Sequence, residues 1–268
     1  MILGGARHEV QIHAQWRQGF RHLHYLRALW LVLYTGALEI SSPVALITGA
    51  SGGLGGPVTD TFLGAGFRVA AVARKWPDKG PGADSGLIRL EADIGNDASA
   101  QGVVQTTLST YGRIDALIHL VGGFAGGDGV AETSVDQWQQ MMAVNCWSAV
   151  TMMRAAIPPM RAAGRGRVIV IGSKAATEPP SHLAAYAASK AALIAVARSA
   201  AAELKKTGVT VNAVLPGTID TDANRKAMGS ANASQWVQPA SIGSLLLWLC
   251  SDAGRDVNGA MIPMDGRA

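Results

Sequence analysis

Cysteine is nearly missing from this chain: 268 residues hold only Cys146 and Cys250, with no Cys-x-x-Cys pair and no His-rich ligand spacing. A disulfide framework and a zinc site are therefore not expected, and both thiols read as reduced residues of a cytoplasmic protein. Aromatics make up 6% of the chain, and no Lys/Arg run carries interleaved aromatics, so nucleic acid is not an expected partner. The net charge of +4 is modest and reads as a solvated basic surface. The apolar run from Ala28 to Leu38 is about eleven residues, whereas a membrane-spanning helix needs ~20. What the chain does have is glycine (32 residues) and alanine within a 49% hydrophobic composition. Small residues in that amount suit tight packing of helices on a sheet, with a large buried core.

The first 42 residues differ from the rest. They hold four of the six histidines (His8, His13, His22, His24) and four arginines (Arg7, Arg17, Arg21, Arg27), but no lysine. Their basic and apolar stretches resemble a weak signal or presequence. No small-x-small cleavage site leads into a cysteine-paired domain, which argues against export. Three readings stay open: a loosely docked extension, a membrane-surface helix, or a segment upstream of the true start. The first and third are preferred, and membrane contact is not expected.

From Val44 onward, short apolar runs alternate with helical patterns. Runs at Val44–Thr48, Arg68–Ala73, Leu87–Ala92, Ala116–Val121, Arg167–Ile171, Val209–Leu215 and Ala260–Pro263 read as strands. Their near-continuous hydrophobicity implies burial on both faces, as in a parallel sheet. Helices are expected near Gly56–Leu63, Ala98–Tyr111, Val135–Ala156, Ala184–Lys206 and Ser241–Cys250. Pro158-Pro159 with Gly164-Arg165-Gly166 are expected to end the helix Val135–Ala156, and Gly208 the helix Ala184–Lys206. The order predicts an α/β fold: one Rossmann-type doubly wound parallel sheet of about seven strands, with helices on both faces, over residues 43–268.

Thr48-Gly49-Ala50-Ser51-Gly52-Gly53-Leu54-Gly55 carries a strand into a glycine turn that opens a helix. Glycine allows close backbone approach, and a helix N-terminus offers free N–H groups to a pyrophosphate. Sites for NAD usually carry a carboxylate about 20 residues further on. Here the second strand runs Val72-Ala73 into Arg74-Lys75. Ala73 leaves room for a 2′-phosphate and Arg74 can pair with it, so NADP(H) is the preferred cofactor, with NAD(H) as the alternative.

Tyr186 and Lys190 are four residues apart in an Ala-rich helical stretch, thirteen residues after Ser173. Residues i and i+4 share a helix face, so the ammonium is expected beside the phenol. A phenol with pKa ~10 is a poor acid at neutrality, and a neighbouring cation is expected to lower that value.

With these marks in place the chain resembles the short-chain dehydrogenase/reductase family over about Val44 to Gly266. The matching residues are the glycine turn, Asp93, Asn145, Ser173, Tyr186, Lys190 and Pro216-Gly217-x-Ile219-x-Thr221. The resemblance implies hydride transfer between a nicotinamide and a carbonyl or imine, with Tyr186 as general acid. Lys190 would lower its pKa and hold the ribose, Ser173 would bond the substrate oxygen, and Asn145 would support a water chain to Lys190. Thr48, Gly49, Ser51, Gly53, Leu54, Gly55, Arg74, Asp93, Ile94, Gly122, Pro216, Gly217, Ile219 and Thr221 would join Tyr186 and Lys190 in holding the cofactor. Asp93 would face the adenine, and Ile219 and Thr221 the carboxamide.

One departure is that the fourth strand ends His119-Leu120-Val121-Gly122-Gly123-Phe124-Ala125-Gly126-Gly127, where the family usually has Asn-Asn-Ala-Gly. With Asn224-Arg225, Met228 and Trp236 this is similar to the dihydropteridine reductase branch. That branch, however, carries an acidic residue at the second strand's end and lacks the counterparts of Ser173 and Asn145. His119 reads as packing or hydrogen-bonding within the sheet. Phe124, Asn224, Arg225 and Met228 are candidate substrate contacts, suited to a flat heterocycle, a quinone or a modest ketone. The Ala-rich helix and the resemblance together imply a homodimer or homotetramer. Reduction of a quinonoid pterin is the sibling reading, and a non-catalytic NADP-binding sensor the reading from another class.

Overall fold

The computed structural model describes residues 42–77 and 86–267. The readings made for the N-terminal segment fall almost wholly outside the described residues. Seven strands run β1 Val44–Thr48, β2 Arg68–Ala73, β3 Leu87–Glu91, β4 Ala116–His119, β5 Gly166–Ile171, β6 Val209–Pro216 and β7 Met261–Met264. They form one parallel sheet in the order β3-β2-β1-β4-β5-β6-β7. The helices are α1 Gly55–Gly64, α2 Asp97–Tyr111, α3 Val135–Met142, α4 Ser148–Ala162, α5 Ala184–Glu203, α6 Asp222–Met228 and α7 Pro239–Cys250.

Every residue of β1, β4 and β6 is buried, which explains why their sequences do not alternate. Successive side chains of a strand point to opposite faces, and here both faces are covered. Leu46, Val72, Leu117 and Val168 belong to a core shared with α2, α4 and α5. Their neighbours Ala45, Ile47, Val69, Ile118 and Ile169 belong to a second core with α1 and α7. Local chemistry sets several helix ends. Asn96 caps α2 by accepting from the N–H groups of Ala98 and Ser99, and Gly112 closes it at φ 76°.

The expected elements are present with four differences. The expected helix Val135–Ala156 is not continuous: a π-helical turn, Ala143–Trp147, separates α3 from α4. Pro158 and Pro159 lie inside α4, which runs on to Ala162. Pro158 removes a hydrogen bond to the carbonyl of Arg154, which sits on the exposed side where water can replace it. The expected helix Ala184–Lys206 stops at Glu203, before Gly208, and the chain turns through Lys206 and Gly208, both at positive φ. Helix α6 was not expected; Thr221 caps it by accepting from the Asn224 N–H at 3.3 Å.

The chain leaves β1 toward one side of the sheet and β4 toward the other. The carboxyl ends of these adjacent strands therefore bound a crevice at the switch point of the topology.

Candidate active site

At the end of β1 the chain folds back on itself. Gly49 sits at φ 73°, and a Cβ there would meet the Leu120 and Val121 backbone at 3.0 Å. A Cβ on Gly55 would lie 2.3 Å from the Gly49 carbonyl oxygen, so only glycine lets α1 start this close to the strand. Ser51 and Gly53 are exposed. Neither Gly53 nor Leu54 gives its N–H to a carbonyl among the described residues, which leaves donors aimed out of the start of a ten-residue helix. Those donors fit an anionic pyrophosphate. Thr221 packs over Gly53, its Cβ and Cγ2 both 3.0 Å from where a Cβ on that glycine would be.

Arg74 is exposed immediately after β2, with no carboxylate following it on that strand end. Asp93 is exposed and its Oδ1 accepts from the Gly95 N–H at 3.1 Å, so it shapes the turn after β3. Ile94 is buried, and its carbonyl accepts the Thr151 hydroxyl. Pro216 closes β6, the Gly217 N–H donates to Met264, and Ile219 pairs with Val237. The hydroxyl of Thr48 is turned inward to His119 at 3.0 Å, so this residue offers the cofactor side its backbone only.

The four candidate catalytic residues converge on the end of β5. Lys190 reaches from α5 to donate to the Ile171 carbonyl at 2.8 Å. Ser173 follows two residues later and hydrogen-bonds the Tyr186 phenol. Asn145 sits in the π turn, fully buried, and grips the Gly123 backbone at both ends: its Oδ1 accepts from the N–H at 2.9 Å and its Nδ2 donates to the carbonyl at 3.0 Å. Nδ2 also lies 3.0 Å from Ser189 Oγ, which donates to the Tyr186 carbonyl at 2.7 Å. Gly122 fills the centre: a Cβ there would be 3.0 Å from both Asn145 Oδ1 and Lys190 Nζ.

The electrostatics differ from the expectation in one respect. The Tyr186 phenol is raised above its ordinary pKa, because burial outweighs the hydrogen bond from Ser173. The Lys190 ammonium is directed to the Ile171 carbonyl and does not offset that burial. Burial lowers Lys190 itself to about 8. An ammonium has three donor positions, and among the described residues only one meets a protein acceptor, so this interior cation fits ribose hydroxyls.

The substrate candidates do not all face the site. Phe124 does: it is 67% exposed and meets Tyr186 edge-on, ring centroids 5.0 Å apart. Met228 is exposed on α6. Asn224 donates to the Ile219 carbonyl at 2.8 Å and holds α6 in place. Arg225 forms a two-pronged pair with Asp220 at 2.5 and 2.7 Å, so its guanidinium is engaged at the start of α6 rather than presented as an anion contact.

Sequence reasoning did not single out Ser148 or Ser189, and assigned His119 no partners. His119 is buried between Thr48 and Ser148, and burial together with Lys190 lowers its pKa to about 3, so it is neutral. A polar residue closing an otherwise apolar strand was the available signal.

A family description, "short chain dehydrogenase", matches residues 43–231. The chain belongs to the short-chain dehydrogenase/reductase family and is an oxidoreductase. It is 29% identical over 242 residues to the short chain dehydrogenase adrF of Penicillium rubens, covering 83% of this chain and 95% of that one. To D-threitol dehydrogenase of Mycolicibacterium smegmatis it is 29% identical over 243 residues, covering 85% and 93%. Among solved structures, a short-chain type dehydrogenase/reductase from Mycobacterium ulcerans superposes with a TM-score of 0.78 at 26% identity, covering 86% of this chain and 90% of that one. ElxO with NADP bound superposes equally well, TM-score 0.78, at 20% identity, covering 84% and 98%; at that identity it shows the shared fold.

Proposed function

We propose that the protein is an NADPH-dependent reductase of a carbonyl or imine, with Tyr186 as the general acid. The observation that carries this reading is the buried Lys190 ammonium, one helical turn from a phenol that Ser173 hydrogen-bonds. When bound, the dinucleotide supplies the hydride. The Gly53 and Leu54 amides and Arg74 hold its phosphates, and Lys190 holds the ribose. Burial keeps the proton on Tyr186 at neutral pH, where the reaction needs a donor. As the substrate oxygen gains negative charge, Tyr186 passes it the phenolic proton and Ser173 supports it with a hydrogen bond. Ser173 then steadies the phenolate until it is reprotonated. NAD(H) is the alternative cofactor.

Phe124 supports flat, ring-bearing substrates, because an exposed ring beside the acid offers a face to stack on. This favours quinones, cyclic ketones and, as the second reading, a quinonoid dihydropterin. We infer further that residues 43–268 act as one catalytic domain following an N-terminal extension, in a cytoplasmic homodimer or homotetramer. No helix among the described residues is long and apolar enough to cross a membrane.

The test is NADPH oxidation by the purified protein against ketones, quinones, sugars and a quinonoid dihydropterin, repeated with Tyr186→Phe. Turnover that falls by roughly 10²-fold or more, with NADPH binding retained, fits a lost general acid. Unchanged turnover in Tyr186→Phe overturns the reading, and absence of any turnover leaves the nucleotide sensor.

A further inference from the structure

The polar chain behind the catalytic residues starts at His119, the residue that departs from the family pattern. The Ser148 hydroxyl donates its single proton to the Val144 carbonyl at 2.7 Å. Toward His119 Nε2, 3.2 Å away, Ser148 can therefore only accept, so Nε2 carries the ring proton. Nδ1 is then bare and accepts from the Thr48 hydroxyl at 3.0 Å. Every proton in this buried row is assigned by elimination.

The row ends at a backbone irregularity. In the π turn the Ser148 N–H donates to Ala143, one residue further back than in an α-helix. The Val144 carbonyl thereby loses its usual i+4 donor, and the Ser148 side chain takes that place. The extra residue in this turn is what brings Asn145 inward onto Gly123 and Ser189, and Ser189 holds the Tyr186 backbone.

We propose that His119 is a positioning residue for catalysis: through Ser148 it fixes the π turn and hence the placement of Asn145 beside Lys190 and Tyr186. His119 touches neither substrate nor cofactor in this role. It sits on β4, a rigid central strand, and gives a helical segment a fixed point of reference. The kinetic part of this inference rests on the hydride-transfer reading above; the structural part does not.

Two measurements test it. In the first, amide hydrogen exchange over residues 141–150 is compared between the unaltered protein, His119→Phe and His119→Gln. Phe fills the volume without a donor, whereas Gln restores one to Ser148. Protection lost at least tenfold in the Phe variant and largely regained in the Gln variant is expected; equal protection in all three overturns the proposal.

The second uses kcat with NADPH and whichever carbonyl the panel above finds to be turned over. His119→Phe is expected to lower kcat at least tenfold while KM for NADPH moves less than threefold. In Asn145→Ala, adding His119→Phe should cost nothing more, because the histidine acts only through that asparagine. Multiplying effects, or a change confined to KM, overturn it. If His119→Phe does not fold, Ser148→Ala carries the same expectations and the same overturning results. A protein that turns over no carbonyl yet loses protection in the first measurement refutes the function and leaves the positioning role standing.

Discussion

Lys190 donates to the Ile171 carbonyl at 2.8 Å from a position where its ammonium is buried and no carboxylate accompanies it among the described residues. Its pKa falls to about 8 from an ordinary 10.5 for that reason alone. The native state therefore gives up this proton before the unfolded chain does. Stability attributable to this group rises with pH from about 8 to 10.5, and the full penalty stands below 8. At ~1.4 kcal/mol per unit the penalty is on the order of 3 kcal/mol, less about 1 kcal/mol regained by the hydrogen bond. Lys190→Met should accordingly raise the unfolding free energy at pH 7 by roughly 1–3 kcal/mol, with the gain shrinking toward pH 10.5. Urea denaturation at three pH values measures this, and a gain that does not vary with pH would contradict it.

The same group sets an upper pH limit for catalysis. In the reductive direction kcat/KM should decline as pH passes about 8, because Lys190 loses the charge with which it holds the cofactor ribose. A pH profile of kcat/KM that stays flat from 7 to 9 would place the limiting ionisation elsewhere.

A methyl group on Gly122 would lie 3.0 Å from both Asn145 Oδ1 and Lys190 Nζ, so both groups must give way by a few tenths of an ångström to admit it. Gly122→Ala should lower stability by about 1–3 kcal/mol, as overpacked interiors do. It should also lower kcat at least tenfold by moving both groups. Wild-type kcat in this variant, measured beside its thermal midpoint, would mean that the cluster is tolerant of displacement.

Arg74→Asp exchanges a cation for a carboxylate at the end of β2, where a 2′-phosphate is expected. The ratio of kcat/KM for NADPH over NADH should drop at least tenfold. An unchanged ratio would show the arginine to be uninvolved.

Arg225 ties helix α6 to Asp220, whose carboxylate also accepts from Gln238 at 3.1 Å. The Asp220 carboxylate is only 8% exposed and would keep Gln238 alone as a partner, so Arg225→Ala should lower the melting temperature measurably. Loosening α6 should also raise substrate KM several-fold. A drop in kcat with KM constant would give the arginine a different role.

Much of this was legible in the sequence because it rests on local rules. Continuous apolar runs announced strands covered on both faces, and the glycine turn announced close backbone approach. The spacing of Ser173, Tyr186 and Lys190 survived folding because one helix and one strand end carry all three. What was not legible depended on neighbours distant in the chain. The π turn at Asn145 needs a serine hydroxyl to satisfy Val144, and His119 to hold that serine from 29 residues away. The inward Thr48 hydroxyl needs the same histidine across 71 residues. Arg225 looked available because its partner Asp220 precedes the helix that places them together. The phenol's raised pKa could not be read from i,i+4 spacing, since burial is a property of the whole fold and the Lys190 ammonium turns to Ile171.

The central pairing of the sheet has a consequence for how this chain reaches its native state. β1 lies between β2 and β4, and the Val44 amide is held by Asp115, 71 residues later. Half of β1's backbone ladder thus waits for a segment made much later in synthesis. Closing so long a loop carries an entropic cost before any contact rewards it, which slows assembly relative to a helical bundle. Until Ala116–His119 arrives, Ala45 and Ile47 present an open apolar strand edge. Refolding at high protein concentration should therefore lose yield to aggregation, and a nascent chain stalled before residue 115 is the form in which chaperones would be needed most.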